Sequence, residues 1–512
     1  MSHMASSLIN RPAESYRRTG ILFSMCLNLV LVVATVSAIN LAMPDLAVTL
    51  KASNGALTWI ADGYTVALAA LVLPLGALGD RIGRRKVLIA GSLVFGAASL
   101  AAAFSSTTGV LIGWRLVMGV GAAMIMPGTL STITSAFPED QRARGVATWS
   151  GFAAAGAIIG LLVAGALLER WGWESIFVAS AIVAVAAGGA AFLLSPETKE
   201  HDAAGRFDVV GSVALASFVG GLVFAIIEGN ESGFTATPTV AAMVLAAAGL
   251  VTYVVAGLRS AAPLLDPRLF RLRGFSVGGM AIVVQFLAVF GFFFVGLQYL
   301  QLVLDYSPLK SAVALVPVAA VVLPISQITP MLTRRFGLAA VLTVGLGLMA
   351  AGVALLSRLV VDSGYVPFLV GLVVVGAGVG LASSTSTAAV VGSLGPDQQG
   401  VASAMNDTTR EVGSAIGIAV MGSVFGSHYR ASLPKGLRLL DGNPKYHEVA
   451  EAIRHSPAAG IAVSKRLGPF EGVLAKPVRV AFMDGLSASL VVVAVILVVS
   501  AVMAAVVAPR RG

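Results

Sequence analysis

Residues Gly76–Leu88 read GALGDRIGRRKVL, and they sit between two long apolar runs. One run opens at Leu57 and reaches this stretch; the other leaves it at Val87 and continues to about residue 104. Each has roughly the twenty residues that a helix needs to cross a bilayer core. One acid and four bases, Asp80, Arg81, Arg84, Arg85 and Lys86, crowd the turn between them. Gly79 and Gly83 allow the chain to turn tightly there. On charge alone this is a basic loop that fixes topology.

The totals agree with a chain that lives in a membrane. Of 512 residues, 57% are hydrophobic and 12% are charged, and the mean hydropathy is +0.90. A soluble chain of this length would form three or four domains, but this composition fits an all-α polytopic membrane protein. The single cysteine, Cys26, cannot form an internal disulfide. All five histidines lie outside the apolar runs, so no cofactor or metal is expected in the membrane. Met1-Ser2-His3-Met4 reads as an appended stretch with Met4 as the natural start, and residues 1–20 carry no cleavable signal pattern.

Apolar runs of spanning length fall near 21–43, 57–79, 87–104, 109–132, 145–168, 175–195, 208–228, 237–257, 274–303, 309–329, 338–357, 366–391, 400–426 and 480–508. Fourteen spans put both termini on one side. With the N-terminus cytoplasmic, the inner segments hold nineteen Lys and Arg, whereas the short outer loops hold only Lys51, Arg170, Lys310 and Arg358. That asymmetry makes both termini cytoplasmic. It also accounts for the net charge of +9 through topology and anionic inner-leaflet lipid, with no nucleic-acid partner.

The chain repeats itself. Leu78-x-x-Arg81-Ile82-Gly83 returns as Leu332-x-x-Arg335-Phe336-Gly337, and Gly145-Val146-Ala147 as Gly400-Val401-Ala402. Gly156, Gly160 and Gly165 return as Gly413, Gly417 and Gly422. Three matches at nearly one offset indicate two related halves of six spans around a midplane cavity. The expected organisation is a tail over 1–20, a bundle over 21–197, an inserted helix pair within 198–262, and a second bundle over 263–512. That second bundle includes an extracytoplasmic loop over 427–479, read as an outer hairpin or helix.

Within the apolar runs, a few polar groups stand out. Asp62, in Trp59-Ile60-Ala61-Asp62-Gly63-Tyr64, is the acid most clearly inside one. A carboxylate at a helix centre costs about 2.5–3.5 kcal/mol on insertion scales, less near an interface. Asp62 is therefore either a carboxylate reaching the outer surface or a functional acid that takes protons or faces a cationic substrate. Arg115 is the one base deep inside any of the first twelve runs, Lys310 standing only at the edge of the tenth. Its guanidinium cannot shed its proton, so it needs a carboxylate or carbonyls nearby. In the thirteenth run, Asp407 and Glu411 are four apart on one helical face with Arg410 beside them and Asn406 just before. They form either a latch at the cytoplasmic end or an inner gate that pairs with the first half. Gly156, Gly160 and Gly165 recur at close-packing intervals. The aromatics Phe286, Phe290, Phe293, Phe294 and Tyr299 either line a lipophilic pocket or, as aromatics at helical spacing usually do, face lipid or pack as ordinary core. A lone G-x-S-x-G at Gly274–Gly278 begins a membrane span, where no His can complete a triad. No ATP-binding loop of the G-x-x-x-x-G-K-[ST] type occurs.

The stretch Gly76–Leu88 resembles the loop signature between the second and third spans of the major facilitator superfamily. Leu111-x-x-x-Arg115-x-x-x-Gly119-x-Gly121 resembles that superfamily's fourth-span motif. Val36–Pro44 resembles the opening motif of its fourteen-span drug:proton antiporters, with Thr35 where that family carries an Asp. Thr35, Ser37 and Asn40 keep hydrogen-bonding capacity there. Span 5 resembles the antiporter motif of that helix, with Leu161 in place of its Pro. Further likenesses are Arg206-Phe207-Asp208, Pro263–Phe270 and the thirteenth-run stretch from Asn406 to Gly417. The resemblance implies a major facilitator fold of fourteen transmembrane helices, two six-helix bundles plus an inserted pair. It implies proton-coupled efflux of small amphipathic compounds by alternating access, in a bacterial plasma membrane, by a chain that works as a monomer and is no enzyme. Arg115 then takes part in proton coupling, and the loop Gly76, Gly79, Asp80, Arg81, Gly83, Arg84 and Arg85 latches the inner side. Two alternatives remain: export of a lipid or endogenous metabolite on the same fold, and a non-transporting receptor or uncoupled pore.

Overall fold

A computed structural model describes residues 2–198, 208–260, 263, 266–394, 399–434, 444–466 and 471–509. Among these residues the regular structure is helical throughout. Inside a bilayer every backbone N–H and C=O must be bonded within the protein, and a helix does this alone. The helices are α1 (Ser2–Thr49), α2 (Asn54–Ile82), α3 (Arg84–Ala103), α4 (Thr108–Ala136), α5 (Glu139–Leu168), α6 (Glu174–Leu194), α7 (Val209–Glu231) and α8 (Thr237–Arg259). After a 3₁₀ turn (Pro267–Arg271) come α9 (Arg273–Leu302), α10 (Pro308–Ala314), α11 (Val316–Phe336), α12 (Leu338–Leu356), α13 (Tyr365–Gly392) and α14 (Gln399–Ser432). The last three are α15 (Pro444–His455), α16 (Pro457–Arg466) and α17 (Glu471–Val507). Ser53, Thr107, Ser307 and Asp208 cap helix starts with side-chain oxygens, as short polar residues at those positions should.

Among the described residues, twelve stretches are long and apolar enough to cross a membrane, α10 and α11 together making one of them. The protein is thus a multi-pass membrane protein. The other two runs read from the sequence correspond to α5, whose apolar part is Gly156–Leu168, and α14, which carries Asp407, Arg410 and Glu411.

Packing repeats along the chain as the sequence offset does. The turn from α2 to α3 is Gly83, with φ +122°, and the turn from α11 to α12 is Gly337, with φ +88°. A side chain would be strained at either. Where α3 meets α4, a Cβ on Gly121 would lie 2.8 Å from the Phe95 nitrogen and 2.9 Å from the Gly91 oxygen. Where α12 meets α13, a Cβ on Gly378 would lie 2.6 Å from both the Met349 nitrogen and the Gly345 oxygen. In the same way α5 lies on α1 and α14 on α9, with α6 on α3 and α17 on α12. The α7–α8 pair sits elsewhere: α7 fills the outside of the seam between α2 and α14.

The region expected as an outer loop over 427–479 is more helical than its composition suggested. α14 runs on to Ser432, α17 begins at Glu471, and α15 and α16 lie between. Tyr429 donates to the Ile453 carbonyl at 2.6 Å, tying α15 to α14. Arg206, Phe207, Leu264 and Leu265, part of the family likeness, lie outside the described residues.

Candidate functional site

Arg115 is the largest fully buried side chain of the fold. Its position follows from Gly119, one turn along α4, where the absence of a Cβ lets α4 ride directly on the Tyr64 carbonyl of α2. With the helices that close, Arg115 Nε donates to the Ile60 carbonyl at 2.8 Å and Nη2 to the Ala61 carbonyl at 3.1 Å. The guanidinium also lies over the Tyr64 ring, 4.7 Å from its centroid, a favourable arrangement in a desolvated site. Tyr64 is held in turn by its hydroxyl, which donates to the Val32 carbonyl of α1 at 3.1 Å. Of the two partners that sequence reasoning allowed Arg115, the structure supplies carbonyls. The ring of Tyr64 was not foreseen.

Asp62 is fully buried, and among the described residues neither of its carboxyl oxygens has a hydrogen-bond partner. It is near enough to Arg115 for their charges to interact, but the two form no direct ion pair among the described residues. Helical spacing says where it points. Thr58, four residues earlier, packs on Gly422 of α14. Val66, four residues later, packs with Val223 and Ile227 of α7 and Ala415 and Ala419 of α14. Asp62 therefore lies in the seam where α2 meets α14 and α7. It does not reach the surface.

The α14 cluster is arranged differently. Asp407 is buried with Oδ1 unpartnered. Asn406 Oδ1 accepts from Thr387 of α13 at 3.1 Å. Arg410 is half-buried and places its guanidinium over Phe286 of α9, 5.1 Å from the ring centroid. Glu411 lies within electrostatic reach of both Asp407 and Tyr64. Charge interactions thus link Arg115 to Asp62 and Tyr64, and Tyr64 to Glu411 of α14.

The loop at Gly76–Arg85 closes on its own neighbours. Asp80 Oδ1 pairs with Arg84 Nε at 2.6 Å, and Arg84 Nη1 donates to the Ser131 carbonyl of α4 at 3.3 Å. The Arg84 amide donates to the Thr198 carbonyl at 2.9 Å, and the Arg85 amide to Glu197 Oε1 at 3.2 Å. Arg85 also covers Phe192 of α6. Gly76 meets Pro127 and Gly79 meets Val87, while Arg81 is half-buried in the last turn of α2. These contacts bind the loop to α4 and to the end of α6, and none of them reaches α14.

Thr35, Ser37 and Asn40 are buried on α1. Thr35 and Asn40 give their donors to carbonyls of that same helix, Leu31 at 2.8 Å and Val36 at 3.0 Å. Ser37 reaches Val33 more loosely. Such back-bonding spends polar capacity locally; the Asn40 Oδ1 alone is left without a partner. Of the three glycines on α5, Gly156 and Gly160 pack on Val30 and Ala34 of α1, and Gly165 packs on Leu309 of α10.

Contacts between α1–α6 and α9–α17 begin at the end opposite the basic loop and run along α2 and α14 past Val66. Gly426 meets Asn54 and Gly422 meets Thr58 at that end, Gly165 meets Leu309, and Gln301 Nε2 donates to the Leu41 carbonyl at 3.1 Å. At that end too, Arg430 of α14 pairs with Glu231 of α7 at 2.9 Å and donates to Asn230 Oδ1 at 3.0 Å and to the Asn230 carbonyl at 3.1 Å. A Cβ on Gly55 of α2 would meet the Glu231 carboxyl at 2.9 Å. Sequence reasoning missed this closure, because its partners come from three helices far apart in the chain.

Helices of this number and packing, around buried ionic groups, define a membrane transporter. The family model of the Major Facilitator Superfamily matches residues 25–418, and the chain belongs to that superfamily. It is 31% identical over 416 residues to the multidrug efflux pump LfrA of Mycolicibacterium smegmatis, covering 81% of this chain and 82% of that one. It is 33% identical over 397 residues to the methylenomycin A resistance protein of Streptomyces coelicolor, covering 77% and 82%. With the methyl viologen resistance protein SmvA of Salmonella typhimurium it shares 31% over 448 residues, covering 85% and 87%. Among solved structures, a bacterial homolog of the human lysosomal transporter Spinster, inward-facing and unoccupied, matches with a TM-score of 0.67 at 14% identity, covering 97% of each chain. That likeness carries the fold alone.

Proposed function

We propose that this protein expels small amphipathic compounds from a bacterial cell in exchange for protons that move inward. Its class, a multidrug efflux transporter of the major facilitator superfamily, follows from relatives about as similar as the efflux pump LfrA over most of the chain. The finer reading adds four features. The chain is a fourteen-span drug:proton antiporter, with α5 and α14 also crossing the membrane. Its two six-helix halves cover 21–197 and 263–512, and α7 and α8 are an insertion between them. Both termini face the cytoplasm of the plasma membrane, which makes the Asp80 loop an inner loop. One chain is sufficient for function.

On this reading the seam between α2 and α14 is the outer gate, and it is closed. The observation that carries the coupling is Asp62, buried in that seam with neither oxygen bonded. An ionised carboxylate in such a place is costly, so the closed seam holds the neutral acid; losing the proton to the cytoplasmic side leaves a charge that only an opened, wetted seam accommodates. Protons from outside then favour closure, and their loss favours opening. Cationic cargo arriving near Glu411 alters the field along Tyr64 and Arg115, which links cargo to proton. For a neutral cargo, one charge moving inward across 100 mV supplies about 2.3 kcal/mol, enough to hold a gradient of more than about tenfold; one proton exchanged for one monovalent cation is electroneutral and draws on the pH difference alone. Arg115, with two carbonyls and a ring around it, keeps a positive charge beside Asp62 throughout.

Inverted membrane vesicles test this. Adding an exported cation to energised vesicles should release protons with the native chain. Asp62→Asn should bind the cation but release none. Unchanged proton release by that variant would remove Asp62 from the mechanism.

A further inference from the structure

α9 has no exposed residue between Gly274 and Leu302, so none of its faces looks onto lipid along that length. Phe286, Phe290 and Phe293 are nonetheless only half-buried. With Leu297 and Gln301 they recur at intervals of three and four, which places them on one stripe. At the far end of that stripe Gln301 bonds to Leu41 of α1. The three rings therefore face the space between the two sets of helices. They also form a ladder: Phe286 stacks on Phe290 at 5.8 Å, and Phe290 meets Phe293 edge-on at 5.9 Å. Phe294 and Tyr299, grouped with them on sequence, are buried in the core instead.

Arg410 occupies the end of this ladder. Among the described residues its side chain makes no hydrogen bond and no ion pair, its Nε is buried without a partner, and its guanidinium lies over the face of Phe286. Two acids stand beside it, Asp407 and Glu411, each close enough for charge to be felt yet neither paired with it. A base that leaves adjacent carboxylates and rests on a ring occupies a position that suits any cation with an apolar body.

We propose that Arg410 is an internal competitor for the ring of Phe286. Cationic aromatic cargo takes that ring face by displacing the guanidinium towards Asp407 and Glu411, so Arg410 sets the selectivity of the site between cationic and neutral compounds. This rests on the transport reading above.

The test uses the purified full-length chain in detergent and titration calorimetry with tetraphenylphosphonium, and with triphenylphosphine oxide as a neutral counterpart. Arg410→Gln should tighten the phosphonium by about fivefold and leave the oxide nearly unchanged. Phe286→Leu should weaken the phosphonium, and in the double variant the gain from Arg410→Gln should vanish. Arg410→Lys, which keeps the charge but loses the flat guanidinium, should tighten the phosphonium by a smaller factor. A gain that persists without Phe286 would mean simple charge repulsion and overturn the proposal. So would weaker or unchanged phosphonium binding by Arg410→Gln in a chain that still exports the cation. A native chain that exports nothing would instead defeat the transport reading, and this proposal with it.

Discussion

Arg115 on α4 and Arg410 on α14 both lie over an aromatic ring, at 4.7 and 5.1 Å from its centre. Around Arg115, two backbone carbonyls accept hydrogen bonds and the ring beneath is anchored to α1. Around Arg410 there are the ring and two acids that do not pair with it, and the side chain is half-buried. The surroundings of Arg115 also have a matched place further along the chain. Gly119 on α4 approaches Tyr64, and Gly376 on α13 faces Val318 of α11 at the matching place, though at ordinary contact distance. Arg115 stands four residues before Gly119, whereas Leu372 stands four before Gly376. The same helix packing is thus built twice and charged once. We read the fixed arginine as part of the proton machinery and the loose one as part of the cargo site.

The largest effect should come from loosening the fixed arginine. Arg115→Lys keeps the charge but loses the planar fork that serves two carbonyls and the ring at once. Transport measured in cells should fall by about tenfold or more, with the protein still inserted at normal amount. Wild-type transport by that variant would show that the fork is dispensable. Arg410→Lys, by contrast, should leave transport of neutral compounds intact.

The Glu231–Arg430 pair offers a smaller test, at the edge of the seam in which Asp62 lies. Both side chains are about one-third exposed, so screening by water limits what the pair contributes. Glu231→Gln should shift cysteine accessibility at the outer end of α2 by about two- to fivefold towards the open state. No shift would leave the seam held by its close-packed glycines alone.

A helical, multi-pass fold was legible because spanning runs and basic loops are properties of the chain read along its length. The repeat at Gly83 and Gly337 was legible for the same reason, since a positive-φ turn leaves glycine at a fixed place. Asp62 and Arg115 stood out as charges in apolar runs. The surroundings of Asp62 did not, because which faces of α2, α7 and α14 meet depends on helices more than a hundred residues apart. Tyr64 was passed over since a tyrosine near a helix end is ordinary in a membrane protein. α17 was expected to begin near residue 480 because Lys476, Pro477 and Arg479 hide its first turns. Arg479 is accommodated there by Asp305 at 2.6 Å and by the Leu302 carbonyl at 3.0 Å. The bonds of Thr35 and Asn40 to their own helix were likewise invisible, since sequence gives a side chain's capacity but not where it is spent.

The seam itself can be measured directly. Spin labels at Lys51→Cys and Ser432→Cys, both exposed at the closed end, in a Cys26→Ser background, report the separation of α2 from α14 by pulsed electron resonance. Going from acidic to mildly alkaline pH, the distance in the native chain should lengthen, whereas with Asp62→Asn it should stay short at every pH. A distance indifferent to pH in the native chain, or one that lengthens equally in the variant, would contradict a gate closed by the proton on Asp62.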